Sequence, residues 1–218
     1  MVPIDLTGKN GVILGVANDR SIAWAIAKTL AQAGARLALT YQNDRVKDRV
    51  ARLGDSLEGS LLLPCDATDD KQITDMFQQV EQSFGEISFL VHSIAFANRE
   101  DLAQPFFDTG REGFKLALEV SAYSLIPLVK HAAPLMKNGG SVVTMTFQAS
   151  QQVYPGYNVM GTAKAALEHE IRQLAYEFGE QNIRLNAISA GPVETLAARG
   201  IHGFMDMKRI HAERSPMK

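Results

Sequence analysis

The stretch GVILGVANDRSIAWAIAKTLAQAGARLALTY, residues 11–41, decides the fold class of this chain. It begins with a short apolar run, GVILGV (11–16), which predicts a buried strand. Apolar residues then follow at helical spacing, with Ser21 placed as the N-cap of a helix and Gly34 as its terminator. A second apolar run, ARLALTY (35–41), predicts the next strand. The pattern therefore indicates a strand–helix–strand unit.

The same alternation continues along the chain to about residue 190. Four further apolar runs predict strands: SLLLPCD (60–66), EISFLVHSIAF (86–96), SVVTMTF (141–147) and NIRLNAIS (182–189). Helices are predicted between the strands, including 70–84 and two long helices at 111–135 and 157–178. Continuous apolar strands are typical of parallel sheets buried on both faces. We therefore predict a single domain, residues 1–218, with a doubly wound, Rossmann-type α/β fold of three layers and six strands.

Composition places the chain among ordinary soluble proteins. Of its 218 residues 46% are hydrophobic, and the formal net charge of −2 gives no reason to expect a nucleic-acid partner. Cys65 is the only cysteine, which excludes an internal disulfide and favours a reducing compartment. The start, MVPIDLTGKN, lacks the regions of a signal peptide, and no apolar run is long enough to span a membrane. We therefore expect a cytoplasmic protein.

A tyrosine and a lysine in YPGYNVMGTAKAALEHEIRQLAYEF (154–178) form a candidate catalytic pair. Tyr157 and Lys164 are seven residues apart, which is about two turns of a helix, so they are expected on one helical face. A nearby ammonium favours the ionised form of a phenol. Tyr157 would then serve as a proton donor or oxyanion stabiliser. Taken alone, the pair is also compatible with chance occurrence on an ordinary helix.

Residues at the carboxyl ends of the first two predicted strands are candidates for binding a dinucleotide, since ligands bind there in doubly wound sheets. Gly15 permits a tight turn, and Ser21 and Ile22 open a helix whose free N–H groups favour a phosphate. The GxGxxG motif is absent, so a merely structural turn is an equal alternative. At the second strand end, Gln42 favours NADH, whereas the nearby Arg45 leaves NADPH open.

The third and fourth strand ends extend this candidate site. Asp66 is placed to accept a hydrogen bond from an adenine amino group, or equally to cap a helix that starts near Thr68. Ser93 and Ile94 permit the close approach of a ribose and a nicotinamide. His92 is interpreted as a packing histidine rather than an acid–base group.

Seven motifs occur in a fixed order: Gly15, SIAWAIA (21–27), TYQND (40–44), CDAT (65–68), LVHSIAFA (90–97), YNVMGTAKAALE (157–168) and RLNAISAGPVETLAARGI (184–201). Together they closely resemble the NADH-dependent enoyl-acyl-carrier-protein reductases of bacterial fatty-acid synthesis, a divergent branch of the short-chain dehydrogenases. The resemblance covers essentially the whole chain. It implies hydride transfer from NADH to the β-carbon of a trans-2-enoyl thioester on acyl carrier protein. Tyr157 would stabilise the thioester oxygen, and Lys164 would hold the nicotinamide ribose.

The resemblance also assigns binding residues and no metal. Those matched to the cofactor are Gly15, Ser21, Ile22, Gln42, Asp66, Ala67, Ser93, Ile94, Lys164, Val193, Glu194, Thr195, Leu196 and Ala197. Those matched to the substrate are Phe96, Ala97, Phe147, Tyr157, Met160, Ile201 and Phe204. Phe96, Met160, Ile201 and Phe204 would form an apolar wall for an acyl chain, although each of them suits the core of the protein as well.

Three features depart from the family pattern. Phe147 stands where the family usually has a tyrosine, so one hydroxyl is missing. If that hydroxyl takes part in the reaction, we expect turnover to change. If it only shapes the pocket, we expect turnover to be unaffected. Glu194 replaces a basic residue, and a carboxylate near a pyrophosphate is repulsive unless it points to solvent. The family continues for roughly forty residues beyond Lys218, so the resemblance implies a missing helix and strand and an unpaired sheet edge.

Two alternatives stay open. Ordinary short-chain dehydrogenases, such as 3-oxoacyl reductases, place a tyrosine four residues before the lysine and a serine near position 147. This chain has Met160 and Phe147 there. The second alternative is an NAD-binding but catalytically impaired paralogue or fragment.

The resemblance further implies assembly. The family usually forms a homotetramer through the two long helices at 111–135 and 157–178. Small residues such as Ala163 and Ala166 suit the close approach of helices. The expected partners are therefore other copies of the chain and an acyl carrier protein loaded with an enoyl chain.

Overall fold

Six parallel strands form one sheet in the computed structural model, which describes residues 4–195, 197–201 and 203–216. The strands are β1 Asn10–Leu14, β2 Arg36–Tyr41, β3 Leu61–Pro64, β4 Phe89–His92, β5 Gly140–Thr146 and β6 Ile183–Ser189. Their spatial order is β3-β2-β1-β4-β5-β6, and every neighbouring pair is parallel. The predicted doubly wound sheet of six strands is confirmed.

Eight α-helices connect and follow these strands within the described residues. They are α1 Ile22–Gln32, α2 Asp44–Gly54, α3 Asp70–Phe84, α4 Arg99–Ala103, α5 Arg111–Leu118, α6 Leu125–Ala132, α7 Val159–Phe178 and α8 Phe204–Arg214. Short 3-10 turns occur at Phe106–Asp108, Ala133–Leu135, Gln148–Ser150, Gly179–Gln181 and Ala197–Gly200. Helix α3 has the bounds that the sequence predicted, whereas α4 was not predicted. None of the described helices is long and apolar enough to cross a lipid bilayer.

The order of the strands reverses at β1, which lies between β2 and β4. Ile13 is in register with Leu39 on one side and with Val91 on the other. The connections from β1 and from β4 therefore leave the sheet in opposite directions. A reversal of this kind opens a crevice beyond the carboxyl ends of the two strands, and this crevice is where such sheets bind ligands.

Both faces of the sheet are buried, as the continuous apolar strands predicted. Val12 and Leu14 of β1 belong to one hydrophobic cluster, and Ile13 between them belongs to the other. This alternation is what a strand covered on both sides requires, because successive side chains point to opposite faces. On the first face the fully buried helical side chains include Ile73, Met76, Leu125, Leu128 and Leu167. On the second face α1 contributes Ala23, Trp24 and Ala27.

Ser21 directly precedes α1, but its side chain bonds to the loop before it and does not cap the first turn of the helix as predicted. Its hydroxyl accepts hydrogen bonds from the backbone N–H groups of Ala17 and Asn18, each at 3.0 Å. The serine therefore fixes the loop after β1. The first turn of α1 contains no acidic residue and receives no side-chain cap from Ser21. Its N–H groups are thus left available to an anion at this end of the sheet.

The helix predicted at 111–135 is interrupted. Helix α5 ends at Leu118, a π-helical turn follows at Glu119–Tyr123, and α6 starts at Leu125. A π turn inserts one extra residue per turn, which the helical spacing of apolar residues does not reveal. Ala163, one of the small residues expected to suit close helix packing, is fully buried inside this chain. Ala166 likewise packs against the main core.

Strand β6 forms one edge of the sheet. Among the described residues it pairs with β5 alone, over all seven positions from Ile183 to Ser189. Its outer backbone groups therefore have no strand neighbour in the described chain, as expected for this edge. Ile188 is half-exposed there.

Truncation of Leu167 tests the packing of α7 on the sheet. Leu167 is fully buried in the main cluster, so Leu167→Ala should lower the free energy of unfolding by about 2–5 kcal/mol, since a cavity replaces the lost side chain. Urea denaturation measures the change. Gln173→Ala, at an exposed position of the same helix, should change it by less than about 0.5 kcal/mol. Equal losses in the two variants would contradict this packing.

Candidate active site

A cleft of about 770 Å³ opens at the carboxyl edge of the sheet, where the strand order reverses. Most of the predicted site residues line it, and they come from loops after all six strands and from helices α1, α7 and α8. They are Gly15, Ser21, Ile22, Gln42, Asp66, Ala67, Ser93, Ile94, Phe96, Phe147, Tyr157, Met160, Lys164, Val193, Thr195, Ile201 and Phe204. The fold therefore brings together residues that are up to 189 positions apart in sequence (204 minus 15).

Four predicted residues do not belong to this lining as described. Ala97 lies outside it, because the chain leaves the cleft after Phe96 on its way to α4. Glu194 also lies outside it; its half-exposed carboxylate pairs with the Lys208 ammonium of α8 at 3.1 Å. Leu196 falls outside the described residues, and Ala197 begins the 3-10 turn.

Other lining residues were not identified from the sequence. They are Val16, Ala17, Asn18, Thr40, Val46, Cys65, Thr68, Ala95, Leu102, Leu116, Val120, Met145, Thr146, Ala190, Gly191, Pro192, Ala198 and Met207. Several of them are apolar residues in helical patterns, where a pocket residue and a core residue look the same. Thr40, Cys65 and Thr146 lie near the carboxyl ends of predicted strands. That position is the feature of the sequence that could have identified these three as pocket residues.

Gly15 allows the loops after β1 and β4 to touch. Its φ of 99° is unfavourable for residues with a side chain, and a Cβ there would collide with the carbonyl oxygen of Ser93. The backbone is therefore bare beside the uncapped start of α1. This cradle fits the pyrophosphate of a dinucleotide, which requires close backbone approach and free N–H groups.

Gln42 and Asp66 meet at the ends of β2 and β3. The Gln42 amide nitrogen donates to Oδ2 of Asp66 at 3.3 Å, and Oδ1 of Asp66 accepts from the backbone N–H and the hydroxyl of Thr68. The helix-cap alternative for Asp66 is wrong, because Asp69 caps α3 by accepting from the first-turn N–H groups. Arg45, which left NADPH open, does not line the cleft. The pair presents polar groups suited to a ribose and an adenine.

Tyr157 lies before α7 rather than on it. The helix begins at Val159, and Asn158 adopts φ 38° and ψ −121°, which breaks the helical path. The prediction of one helical face for Tyr157 and Lys164 was therefore wrong, although both side chains line the same cleft. The Asn158 amide holds this turn in place by donating to the carbonyl oxygen of Gln104 at 2.7 Å.

Burial governs the ionisation of the pair. The Lys164 side chain is buried, and its Nζ donates to the carbonyl oxygen of Met145 at 2.8 Å. Burial lowers the pKa of Lys164 to about 8, and the carboxylate of Glu168 opposes this shift. Burial raises the pKa of Tyr157 to about 12. The expected acidification of Tyr157 by Lys164 is therefore wrong for the ligand-free protein, in which the phenol is a neutral hydrogen-bond donor.

Phe147 packs between two tyrosine rings. Its ring centroid lies 4.8 Å from that of Tyr154 and 5.0 Å from that of Tyr157, with tilts of 53° and 60°. These tilted geometries are favourable for aromatic pairs. The phenylalanine thus supports the phenol of Tyr157 from the side by packing.

His92 is fully buried behind the cleft. Its Nε2 lies 2.9 Å from the hydroxyl of Ser124, and that hydroxyl donates its own proton to the carbonyl oxygen of Val120. Nε2 must therefore carry the ring proton, and Nδ1 accepts from the Thr144 hydroxyl at 2.8 Å. Burial, together with the nearby Lys164 ammonium, lowers the pKa of His92 to about 3. These contacts support the interpretation of His92 as a packing residue.

The family model described as Enoyl-(Acyl carrier protein) reductase matches residues 15–218. This chain belongs to that family. The enoyl-[acyl-carrier-protein] reductase [NADH] of Bacillus cereus is 47% identical over 98% of this chain and 84% of its own length. The corresponding Bacillus subtilis reductase is 46% identical over 98% of this chain and 83% of its own.

Solved structures of the reductase family agree with this fold. The Bacillus cereus reductase, solved with NADP+ and indole naphthyridinone, has a TM-score of 0.94 at 47% identity and covers 97% of this chain and 83% of its own. The Anaplasma phagocytophilum reductase, solved in complex with NAD, has a TM-score of 0.91 at 41% identity. The match covers 97% of this chain and 78% of that reductase. FabI from Candidatus Liberibacter asiaticus has a TM-score of 0.96 at 42% identity. The match covers 100% of this chain and 84% of that protein.

Replacement of His92 tests its neutral, buried state in this reductase. The pKa of His92 is about 3 in the folded state against an ordinary 6.5, so only the unfolded state gains a proton as the pH falls below 6.5. The folded protein should therefore lose up to about 1.4 kcal/mol of stability per pH unit on acidification, and His92→Gln should remove this loss.

Urea denaturation at several pH values between about 6.5 and 5 measures the slope of the unfolding free energy. His169→Gln, at an exposed position of α7, is the matched control and should keep the wild-type slope. A His92→Gln slope identical to that of the wild type would show that His92 takes up its proton in the folded state.

Proposed function

We propose that this chain reduces the carbon–carbon double bond of trans-2-enoyl thioesters on acyl carrier protein, with NADH as the reductant. The observation that carries the proposal is the meeting of Tyr157 and Lys164 in one cleft with the bare cradle at Gly15. The relatives named as NADH-dependent enoyl-acyl-carrier-protein reductases support it over nearly the whole chain.

The cleft suits NADH at several points. The pyrophosphate would lie against Gly15 and the start of α1, and the adenosine would lie beside Gln42 and Asp66. Gln42 is neutral, which suits the ribose hydroxyls of NADH better than the extra phosphate of NADPH. When bound, NADH supplies the hydride that is transferred to the substrate.

Tyr157 would stabilise the negative charge that develops on the thioester oxygen. Its pKa of about 12 keeps the phenol protonated at neutral pH, so it is available there as a hydrogen-bond donor. A donor held in a buried site costs no solvent reorganisation during the reaction, which is the basis of oxyanion stabilisation. Phe147 keeps the ring in place by packing against it.

Lys164 would hold the nicotinamide ribose and favour negative charge nearby. An ammonium has three N–H donors, and one of them is used by the carbonyl oxygen of Met145. The remaining donors are available to ribose hydroxyls at the base of the cleft. The positive charge also lowers the energy of an anionic thioester oxygen, because a buried site screens charges weakly.

The acyl chain would pack against the apolar part of the cleft. Ser121 organises this wall, because its hydroxyl accepts from the backbone N–H of Phe96 and approaches the sulfur of Met160 at 3.7 Å. The half-exposed ring of Phe96 and the buried side chain of Phe204 then offer apolar surface to an extended chain.

The two alternatives are weaker on this geometry. Met160 occupies the position four residues before Lys164, and its thioether cannot replace the tyrosine of an ordinary short-chain dehydrogenase. A Glu194 carboxylate that repelled the pyrophosphate would favour an impaired paralogue, but that carboxylate pairs with Lys208 outside the cleft lining. The repulsion expected near a pyrophosphate is therefore reduced.

We further propose that residues 1–218 work as one domain in the cytoplasm and that copies assemble into a homotetramer. The segments at 111–135 and 157–178 expose large apolar side chains that support such an assembly. Phe114 and Tyr123 are partly exposed on the first segment, and Tyr176 is 84% exposed on the second. A mass measurement in solution tests the oligomeric state.

Substrate comparison tests the proposed reaction. The protein should oxidise NADH with crotonyl-coenzyme A much faster than with acetoacetyl-coenzyme A, since the cleft lacks the hydroxyl pair that reduces a carbonyl group. Tyr157→Phe should lower kcat by about 10²–10³-fold with little change in the dissociation constant of NADH, because it removes only the oxyanion donor. Faster reduction of acetoacetyl-coenzyme A, or NADH binding without oxidation, would overturn the proposal.

Restoring a hydroxyl at position 147 tests the consequence of this departure from the family. Phe147→Tyr places an O–H beside Tyr157 in the cleft, where one additional hydrogen bond to the reacting group is worth about 0.5–1.5 kcal/mol. We expect kcat, or the preference for acyl-chain length, to change by about two- to tenfold. Steady-state kinetics with crotonyl and longer enoyl thioesters measure the change.

Tyr154→Phe is the matched control, because it removes a hydroxyl on the other side of Phe147, outside the cleft lining. It should leave these kinetics close to those of the wild type. Wild-type kinetics in Phe147→Tyr would show that a hydroxyl at this position has no role in this chain.

A further inference from the structure

Glu168 connects helix α7 to the end of β5. It lies four residues, about one helical turn, beyond Lys164. A single carboxylate oxygen, Oε1, accepts hydrogen bonds from the Thr146 hydroxyl at 2.7 Å and from the Ser150 hydroxyl at 2.6 Å. Thr146 is the last residue of β5, and Ser150 is the last residue of the 3-10 turn that follows. Glu168 therefore closes the corner between strand and turn.

Phe147 is carried by this corner. It follows Thr146 directly, and its ring lies 5.0 Å from that of Tyr157. The two hydroxyls bound by Glu168 stand on either side of Phe147 in the chain. The carboxylate thus fixes both ends of the short segment that presents the aromatic ring to the phenol.

The negative charge of Glu168 also favours the charged form of Lys164. Among the described residues, no carboxylate lies within the ion-pair distance of 4.0 Å from this buried ammonium. The groups beside it are Glu168 from its own helix, His92 from β4 and the carbonyl oxygen of Met145 from β5. Tyr157, from the turn before α7, lines the same cleft. His92 and Tyr157 are neutral, so the carboxylate is the charge that opposes the cost of burying the ammonium.

Glu168 is ionised at neutral pH. Partial burial raises the pKa of its carboxyl, but hydrogen bonds from Ser150 and Thr146, with further contributions from Gln151 and Arg172, bring it below the ordinary value. The same two hydroxyls that build the corner therefore also lower the pKa of a carboxyl that is already ionised at neutral pH.

We propose that Glu168 is a positioning residue of this reductase, whose carboxylate keeps the Lys164 ammonium charged and fixes the corner that packs Phe147 against Tyr157. The inference rests on the proposed roles of Lys164 and Tyr157. It adds a residue that does not line the cleft and acts through others that do.

Two variants separate the two roles. Glu168→Gln keeps a carbonyl oxygen to accept from the hydroxyls and removes the charge. The double variant Thr146→Val with Ser150→Ala keeps the charge and removes both donors. Glu177→Gln, at an exposed position of the same helix, is the matched control for loss of one negative charge.

Titration of Lys164 in the ligand-free protein is the first measurement. In lysine-labelled protein followed by NMR, Glu168→Gln should lower the pKa of Lys164 by about 0.5–1 unit, and Glu177→Gln should not move it. The alkaline limb of the pH profile of kcat/KM should shift down by the same amount. An unmoved Lys164 titration in Glu168→Gln would overturn the electrostatic role.

The double variant tests the corner. It should raise KM for crotonyl-coenzyme A or lower kcat, and change the near-ultraviolet circular dichroism of the packed aromatic rings, with the Lys164 titration close to that of the wild type. Wild-type kinetics and an unchanged aromatic spectrum would overturn the positioning role.

A reciprocal measurement keeps the inference testable if Glu168→Gln folds poorly. Electrostatic coupling between two groups is mutual, so Lys164→Met should raise the pKa of Glu168 by a similar amount in a carboxyl-labelled sample. An unchanged Glu168 titration would overturn the coupling. These titrations need no substrate, so they test the coupling separately from the proposed function. If the pKa values shift as expected but the protein does not reduce enoyl thioesters, the proposed function is rejected and the coupling between Glu168 and Lys164 is retained.

Discussion

The buried ammonium of Lys164 is the constraint on which the site depends. A charge at this depth is costly unless hydrogen-bond acceptors and a favourable field compensate for lost water. The carbonyl oxygen of Met145 supplies the acceptor, and it is held in place because Met145 belongs to β5, next to its last residue. Helix α7 supplies the lysine, and its buried side chains hold it against the sheet. The sheet, the helix and the charge are therefore parts of one arrangement, in which the core positions the reactive group.

The fold could be predicted from the sequence because burial on both faces leaves a simple signal. Strands such as β1 and β5 are apolar runs bounded by polar loops, and such runs alternate with amphipathic helices. The approximate bounds of helix α3 were predicted, and in the structure Asp69 caps it and Gly85 ends it with a positive φ. The irregular elements could not be predicted this way. Nothing in helical spacing reveals the π turn, or the conformation of Asn158 that separates Tyr157 from α7.

The membership of the site could be predicted in part, but its energetics could not. Strand-end positions and the family resemblance identified Gly15, Gln42 and Asp66 correctly as neighbours of one cleft. The pKa values of Tyr157 and Lys164 depend on burial, which the sequence does not give. Spacing alone suggested that the ammonium acidifies the phenol, whereas desolvation of the phenol dominates and acts in the opposite direction.

The amide of Asn158 donates to the carbonyl oxygens of Leu102 and Gln104 as well as setting the turn after Tyr157. Leu102 lines the cleft, so the segment after β4 and the phenol of Tyr157 share one anchor. Chimeras that exchange the region around residues 98–104 between members of this family would therefore disturb the Tyr157 phenol as well as the apolar lining of the cleft. In evolutionary terms, the two segments are expected to change together, because a new loop conformation must still present its carbonyl groups to the same asparagine.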